Sequence, residues 1–385
     1  MRKNQKNWLP VMVGILFPVL CVGIQMLLQI CETAEENAVT KTTTIIQPNT
    51  YLPVQEEPLV LSEEKLYESA NVVCYEDRIF TRLSIGESQA DKVVELASTL
   101  NAFCPEGTDL YILPVPKRVL WENGYEEDLA IYTGYMNRLR SALNGKAVLT
   151  DPYASLSEHI QEALYFNTED SWNALGAYYG VLPFCEQVGI EPFALEDYVR
   201  AENVGHFIGD LTLFPELSQV SFLNLQDDEL VLYDLAGAET MSRVISYEDE
   251  KLVAVNKPLV TLSSRNTSSV LTGNFVRAIV PGEGRSESKK DEYLLLLCDQ
   301  EGKLLVPYLK NYYKGVYVVN ISRKSDLKHD ISILMNEYQI NDVLLAQDVS
   351  ELGKEGYYAA LTEMTAGIRE EKEMQEELTD GDDIP

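Results

Sequence analysis

Five short apolar runs separated by stretches of helical periodicity set the tightest limit on how this chain can fold. Residues 110–115, 147–149, 294–298, 316–319 and 343–345 are almost continuously apolar, as parallel strands covered on both faces are. Helix patterns lie between them. In residues 325–339, Leu327, Ile331, Leu334 and Tyr338 recur at spacings of four, three and four, which puts them on one face of a helix that starts near a Ser-Asp cap. Residues 89–103, 126–143, 172–188 and 303–313 read the same way. Such alternation predicts an α/β fold with a mainly parallel sheet between layers of helices. From 191 to 290 the pattern changes to shorter β-like pieces, such as 230–233 and 252–255, with Ser, Thr and Gly between them. This stretch is expected to be a β-rich insertion on the core.

The amino terminus carries a different signal. Arg2, Lys3 and Lys6 precede Trp8 to Ile30, a run without a charged residue and long enough to cross roughly 30 Å of hydrocarbon as a helix. Basic residues on the near side predict a cytoplasmic tail at 1–7, a single-pass signal anchor at 8–30 and an extracytoplasmic remainder. The run is too long, and its end at Leu28-Gln29-Ile30-Cys31 too poor in small residues, for a cleaved signal or a lipoprotein site. Residues 31–65, rich in Thr and marked by Pro48, Pro53 and Pro58, read as a linker. A main domain at 66–361 follows, and the acidic residues 362–385 read as a solvated, disordered tail.

Charge and cysteine usage exclude several functions. Sixty-one acidic residues against 31 basic ones, a net charge of −30, would be repelled by phosphate backbones, so nucleic acid is excluded as a partner. Cys74, Cys104, Cys185 and Cys298 lie beyond the apolar segment without CxxC spacing, so no metal site is expected; they permit three disulfide connectivities and favour none. No cofactor is implied either.

The stretch Leu164-Tyr-Phe-Asn-Thr-Glu-Asp-Ser-Trp-Asn-Ala-Leu-Gly-Ala-Tyr-Tyr179 resembles the signature block of the DHHW family, which is similar to the SGNH-hydrolase-like proteins of alginate O-acetylation. Leu110-Tyr-Ile-Leu-Pro-Val-Pro116, Phe207-Ile-Gly-Asp-Leu211, Asp228-Glu-Leu-Val-Leu-Tyr233 and Val306-Pro307-Tyr308-Leu309 fit the same pattern. The resemblance implies an SGNH-like, flavodoxin-like three-layer core and an esterase or O-acetyltransferase ancestry. It also implies a Ser-His-Asp set. The family's Asp falls on Glu169, its His on Ser171 and its Ser on Gln300, while Trp172 and Asp299 are kept.

Chemistry gives the consequence. Acyl transfer needs a hydroxyl to attack, an imidazole to take its proton and a carboxylate to orient the imidazole. A Gln amide is no nucleophile, and a Ser hydroxyl is no base near neutral pH. The resemblance therefore leads to a catalytically degenerate domain that binds envelope glycan or scaffolds polysaccharide modification beside a membrane-bound acyltransferase. Glu169, Asp170, Trp172, Asp299, Gln300, Gly302 and His206 are the candidate cleft residues, Gly302 through a backbone turn that could bind an anion. Other readings stay open. Glu169, Asp170 and Ser171 suit a helix cap. An active enzyme could use Ser263 or Ser264 with His206, and an adaptor could use the acidic tail. His159 and His329 read as surface residues, and Cys298 as an inert buried thiol.

Overall fold

The computed structural model describes residues 60–201, 206–221, 225, 228–229, 232–235, 241–248, 251–259, 270–271, 275–322 and 338–354. The anchor at 8–30, most of the linker, Ser263, Ser264, the helix expected over most of 325–339, His329 and the acidic tail lie outside them. Among the described residues no helix is long and apolar enough to cross a membrane.

In chain order the strands are β1 (Lys65–Glu68), β2 (Val72–Tyr75), β3 (Ile79–Thr81), β4 (Asp109–Val115), β5 (Val148–Leu149), β6 (Tyr198–Ala201), β7 (His206–Phe207), β8 (Asp228–Glu229), β9 (Leu232–Leu235), β10 (Met241–Glu248), β11 (Lys251–Pro258), β12 (Phe275–Pro281), β13 (Tyr293–Cys298), β14 (Gly315–Asn320) and β15 (Ile340–Asp348). The helices are α1 (Gln89–Phe103), α2 (Glu126–Ala142), α3 (Tyr153–Glu158), α4 (Ala174–Gln187) and α5 (Val306–Leu309).

The main sheet has the order β11-β10-β12-β14-β13-β15-β4-β5. The strands from β14 to β5 run parallel. The sheet as a whole is mixed, because β12, β10 and β11 extend this parallel part with antiparallel pairs. Those three strands come from the β-rich stretch, which thereby continues the core sheet. The hairpin of β10 and β11 is formed by two adjacent strands, and a short connection can only reverse direction.

Side chains of the buried strands alternate between two cores. Leu294, Leu296 and Cys298 of β13 face α4 and α5, with Leu344 and Ala346 of β15 beside them. Leu295, Leu297, Val343 and Leu345 face α1 and α2. This two-sided burial is why the runs carry no polar alternation. A separate small sheet, β1-β2-β3, packs Val72, Cys74 and Ile79 on Leu211 and Leu217.

The helix expected over 303–313 is shorter than its pattern. A 3-10 turn at Gly302–Leu305 leads into the single turn of α5. The Asn311 side-chain amide then donates to the Pro307 carbonyl at 2.9 Å, while its backbone N–H turns to Tyr308. An Asn side chain competing for a helix carbonyl favours exit from the helix.

Candidate functional site

Parallel α/β sheets present ligands with the carboxyl ends of their strands, and here β4, β13 and β15 end on a network of charge. Lys117 follows β4, Asp299 follows β13, and Asp348 closes β15. Asp299 ties two of these ends together: its Oδ1 accepts from the Gly302 N–H at 3.0 Å and its Oδ2 from the Asp348 N–H at 2.8 Å. The Gly302 donor is thus occupied within the turn, which corrects the idea of an anion site there. Gly302 itself is required by space, since a Cβ would fall 2.3 Å from the Ala346 carbonyl oxygen.

The signature loop closes against this edge. Tyr165 and Trp172 form an antiparallel bridge, with the Phe166 N–H donating to the Ser171 carbonyl and the Asn173 N–H to that of Leu164. The Trp172 indole, fully buried, donates to the Glu301 carbonyl at 3.0 Å. That bond joins the loop of Glu169 and Ser171 to the turn of Gln300. Trp172 fits because α4 offers Gly176 and Gly180 beneath it; a Cβ on Gly180 would meet the Trp172 ring at 2.2 Å. Gly180→Ala is therefore expected to cost about 1–3 kcal/mol by overpacking. Urea unfolding followed by tryptophan fluorescence checks this, and an unchanged midpoint would contradict it.

Asp228 clamps the loop from the β-rich side. Its Oδ1 accepts from the Asn167 N–H at 2.6 Å and its Oδ2 from the Thr168 N–H at 2.7 Å and the Thr168 hydroxyl at 2.5 Å. Thr168 Oγ1 in turn accepts from Gly209 N–H at 2.6 Å. The block around Gly209 is thereby seated on the loop. His206 lies in β7, whose backbone pairs with β8; its side chain lies outside the described residues.

The sequence candidates divide by what their side chains meet. Asp170 is held by Thr81 Oγ1 and Lys117 Nζ, and Lys117 also lies 3.4 Å from Asp348. The carboxylates of Asp170 and Asp348 hold the Lys117 ammonium above its usual range against the opposing effect of burial. Burial pushes the Asp348 carboxyl up to about 6. Ser171 is buried and donates its hydroxyl to the Trp172 carbonyl at 2.9 Å. Gln300 is exposed at the tip of the β13 turn. Glu301 is raised well above the usual carboxyl range by burial beside Asp299 and Asp348, and Asp299 is raised by burial as well.

Glu169 and Lys303 stand apart from this pattern. Burial, with Asp210, Asp228 and Asp170 nearby, pushes Glu169 up to about 7, and its Oε2 is buried without a hydrogen-bond partner. Lys303, in the turn after Gln300, is 2% exposed, and burial pulls its ammonium down to about 8.

The helix-cap reading of Glu169, Asp170 and Ser171 also needs correction. Asn173 caps α4, its side chain accepting from the Gly176 N–H at 3.0 Å. A cap must sit within three residues of the N–H it serves, and the earlier three are drawn into the loop instead. His159 stacks on Tyr179 with centroids 3.7 Å apart and pairs Nδ1 with Glu162 at 2.7 Å. Cys298 is buried, and its thiol is raised by that burial; Cys74, Cys104 and Cys185 are free thiols too. Among the described residues no group of His, Cys, Asp and Glu is arranged to hold a metal ion.

Sequence reasoning missed Lys117, Asp348 and Lys303. The signal for the first two was available: a charged residue at the carboxyl end of a buried parallel strand is where ligands and site networks collect.

The sequence model of the DHHW family, described as "DHHW protein", matches residues 128–319. This span includes the signature loop, α4, the Asp228 clamp and the turn after β13. Over these residues the chain matches the DHHW family. Its fold is similar to that of a DHHW family protein from Eubacterium siraeum, at 20% identity and a TM-score of 0.61, over 80% of this chain and 97% of that one. It is also similar to PatB1 of Bacillus cereus, solved with a sulfonyl adduct, at 14% identity and a TM-score of 0.58, over 74% and 97% of the two chains. The O-acetyltransferase domain of Pseudomonas putida AlgJ aligns at 13% identity with a TM-score of 0.43, over 74% and 95%. Comparison with curated protein sequences gives no match. The chain thus has a mixed-sheet α/β fold like that of the Eubacterium siraeum DHHW family protein and of PatB1.

Proposed function

We propose that this DHHW domain keeps the family's strand-end cleft without its acyl-transfer chemistry, and that it binds a cell-envelope polysaccharide from a membrane anchor at Trp8 to Ile30. The observation that carries the reading is Gln300. An exposed carboxamide stands at the position the family resemblance gives to the nucleophile, and an amide cannot form an acyl ester. Ser171 supports it, because its buried hydroxyl is engaged by the Trp172 carbonyl and cannot accept a proton as an imidazole would. Carboxylates and a carboxamide along the cleft suit sugar hydroxyls. A membrane-bound acyltransferase is the partner that such a non-catalytic domain would serve, by presenting the polysaccharide to it.

PatB1 of Bacillus cereus carries a sulfonyl adduct in its solved structure, and the same reagent class provides the test. Incubation of this chain with an aryl sulfonyl fluoride is expected to leave its mass unchanged, and aryl acetate hydrolysis to stay at the background rate. A stoichiometric sulfonyl adduct on any residue would overturn the reading. The triple variant E169D/S171H/Q300S is expected to hydrolyse the acetate faster than its parent by about 10²-fold or more.

A further inference from the structure

The amino ends of β4 and β15 flank an open cavity of about 280 Å³, at the other end of the sheet from Lys117, Asp299 and Asp348. One wall is the turn at 105–108. The Thr108 N–H closes it on the Pro105 carbonyl at 3.1 Å, and Gly107 takes a φ of 89°, as the third position of a type II turn demands. Gln339, Ile340 and Asn341, at the entry to β15, form the other wall. Thr108 Oγ1 ties the two together by donating to the Ile340 carbonyl at 3.0 Å.

Two irregularities fall in the second wall. Gln339 has a φ of 50°, a left-handed conformation that a Cβ disfavours in every residue but Gly, with Asn and Asp the best tolerated of the rest. Beside it the pairing of β13 with β15 slips, passing from Tyr293 opposite Ile340 to Leu294 opposite Asp342. Asn341 is left without an opposite residue, and its Oδ1 accepts the Tyr293 N–H at 3.0 Å. Such a bulge re-aims side chains. Gly at 339 would make the same turn without strain, so the carboxamide is what Gln adds there. Strained backbone of this kind collects at binding sites.

The lining selects its ligand. Glu106 accepts hydrogen bonds, the exposed Gln339 amide donates and accepts, and Asn341, its oxygen taken, keeps an amide nitrogen to donate. Pro105 and Ile340 add apolar surface. Among the described residues no Lys, Arg or His lines the cavity, so an anion meets Glu106 without a counter-charge, in a chain of net charge −30. A cation has one carboxylate and no use for the apolar surface. A sugar ring offers hydroxyls that donate and accept, and C–H faces that suit Pro105 and Ile340. The volume lies just below the range of drug-sized pockets, which fits one ring. We propose that 105–108 and 339–341 form a pocket for one uncharged pyranose unit, separate from the strand-end cleft. The nine residues of β15 put roughly 26 Å of strand between the two. The pocket goes beyond the cleft reading and stands whether or not the cleft binds glycan.

The test is photolabelling of the full chain in detergent with a neutral hexose oligosaccharide that carries a diazirine, mapped by mass spectrometry. Label is expected in the peptides holding 105–108 and 339–341, and to be competed by the plain oligosaccharide better than by a hexuronate or a primary-amine hexosamine oligomer of equal length. Glu106→Ala and Gln339→Gly are each expected to raise the concentration for half-maximal labelling of those peptides by about tenfold. Gln339→Gly is also expected to raise the urea midpoint, because Gly relieves the left-handed strain; a purely structural Gln would not couple lost binding to gained stability. Label confined to peptides around Gln300 overturns the pocket and supports the cleft, whereas label at the pocket alone supports the pocket and counts against the cleft. No label at all, better competition by either charged oligomer, or parental labelling in both folded variants also overturns the pocket.

Discussion

Glu122→Ala is expected to cost about 3–5 kcal/mol of stability, because it leaves the buried Arg118 guanidinium without its counter-charge and Arg78 with Asp77 alone. The Glu122 carboxylate accepts from Arg78 Nε at 2.9 Å and Arg78 Nη2 at 2.7 Å, and from Arg118 Nε at 2.9 Å. Its side chain is 6% exposed, and those of Arg78 and Arg118 are nearly as hidden. Arginine does not escape such a site by losing its proton. The damage also reaches the signature loop, since Arg118 Nη1 donates to Asn167 Oδ1 at 3.1 Å and Asn167 opens the loop that carries Glu169. Glu122→Gln keeps the shape and one acceptor, so a smaller loss is expected. Urea unfolding gives both numbers, and hydrogen exchange at the Asn167 and Thr168 amides reports the loop. A Glu122→Ala protein within 1 kcal/mol of its parent would show that the arginines find water or other partners.

Residues 89–103 are helical as their periodicity predicts, and β4, β13, β14 and β15 lie where the apolar runs put them. These elements are legible because burial is imposed locally: a strand covered on both faces admits few polar residues wherever it sits in the sheet. The antiparallel extension was not legible. Whether β12 pairs with β14 depends on a contact between distant segments, and the short β-like pieces of 191–290 carry no mark of it. The same distinction runs through the site. The family block places Glu169, Ser171 and Gln300, but the Lys117 link between Asp170 and Asp348 joins three separate loops. Sequence can name such residues one at a time; only the fold shows that Ser171 is engaged, that Asn173 is the helix cap, and that Lys303 pairs with no described residue.

The buried carboxyls and Lys303 give the domain an unusual dependence on pH. Its stability is expected to be greater near pH 5 than near pH 7.5. A carboxyl held above its unfolded value binds its proton more tightly in the folded chain. Its contribution therefore favours folding at low pH and is lost as pH rises from the unfolded value to the folded one. Glu169 moves from 4.5 to about 7 and Asp348 from 3.8 to about 6, and Asp228 and Asp342 are raised in the same direction by burial. The net charge of −30 acts likewise, because protonation relieves self-repulsion. Lys303 has the opposite sign: an ammonium lowered from 10.5 to about 8 destabilises the fold below pH 8 and ceases to do so as pH rises from 8 toward 10.5.

The expected curve falls by roughly 2–4 kcal/mol between pH 5 and 7.5 and recovers above 8. Glu169→Gln should remove on the order of 2 kcal/mol of that fall, and Lys303→Met should raise the melting temperature at pH 7.5. Denaturant titrations at pH 5, 6, 7.5 and 9 measure it. A stability maximum at pH 7.5, or a Glu169→Gln protein with its parent's slope, would contradict the assignment of the raised carboxyl.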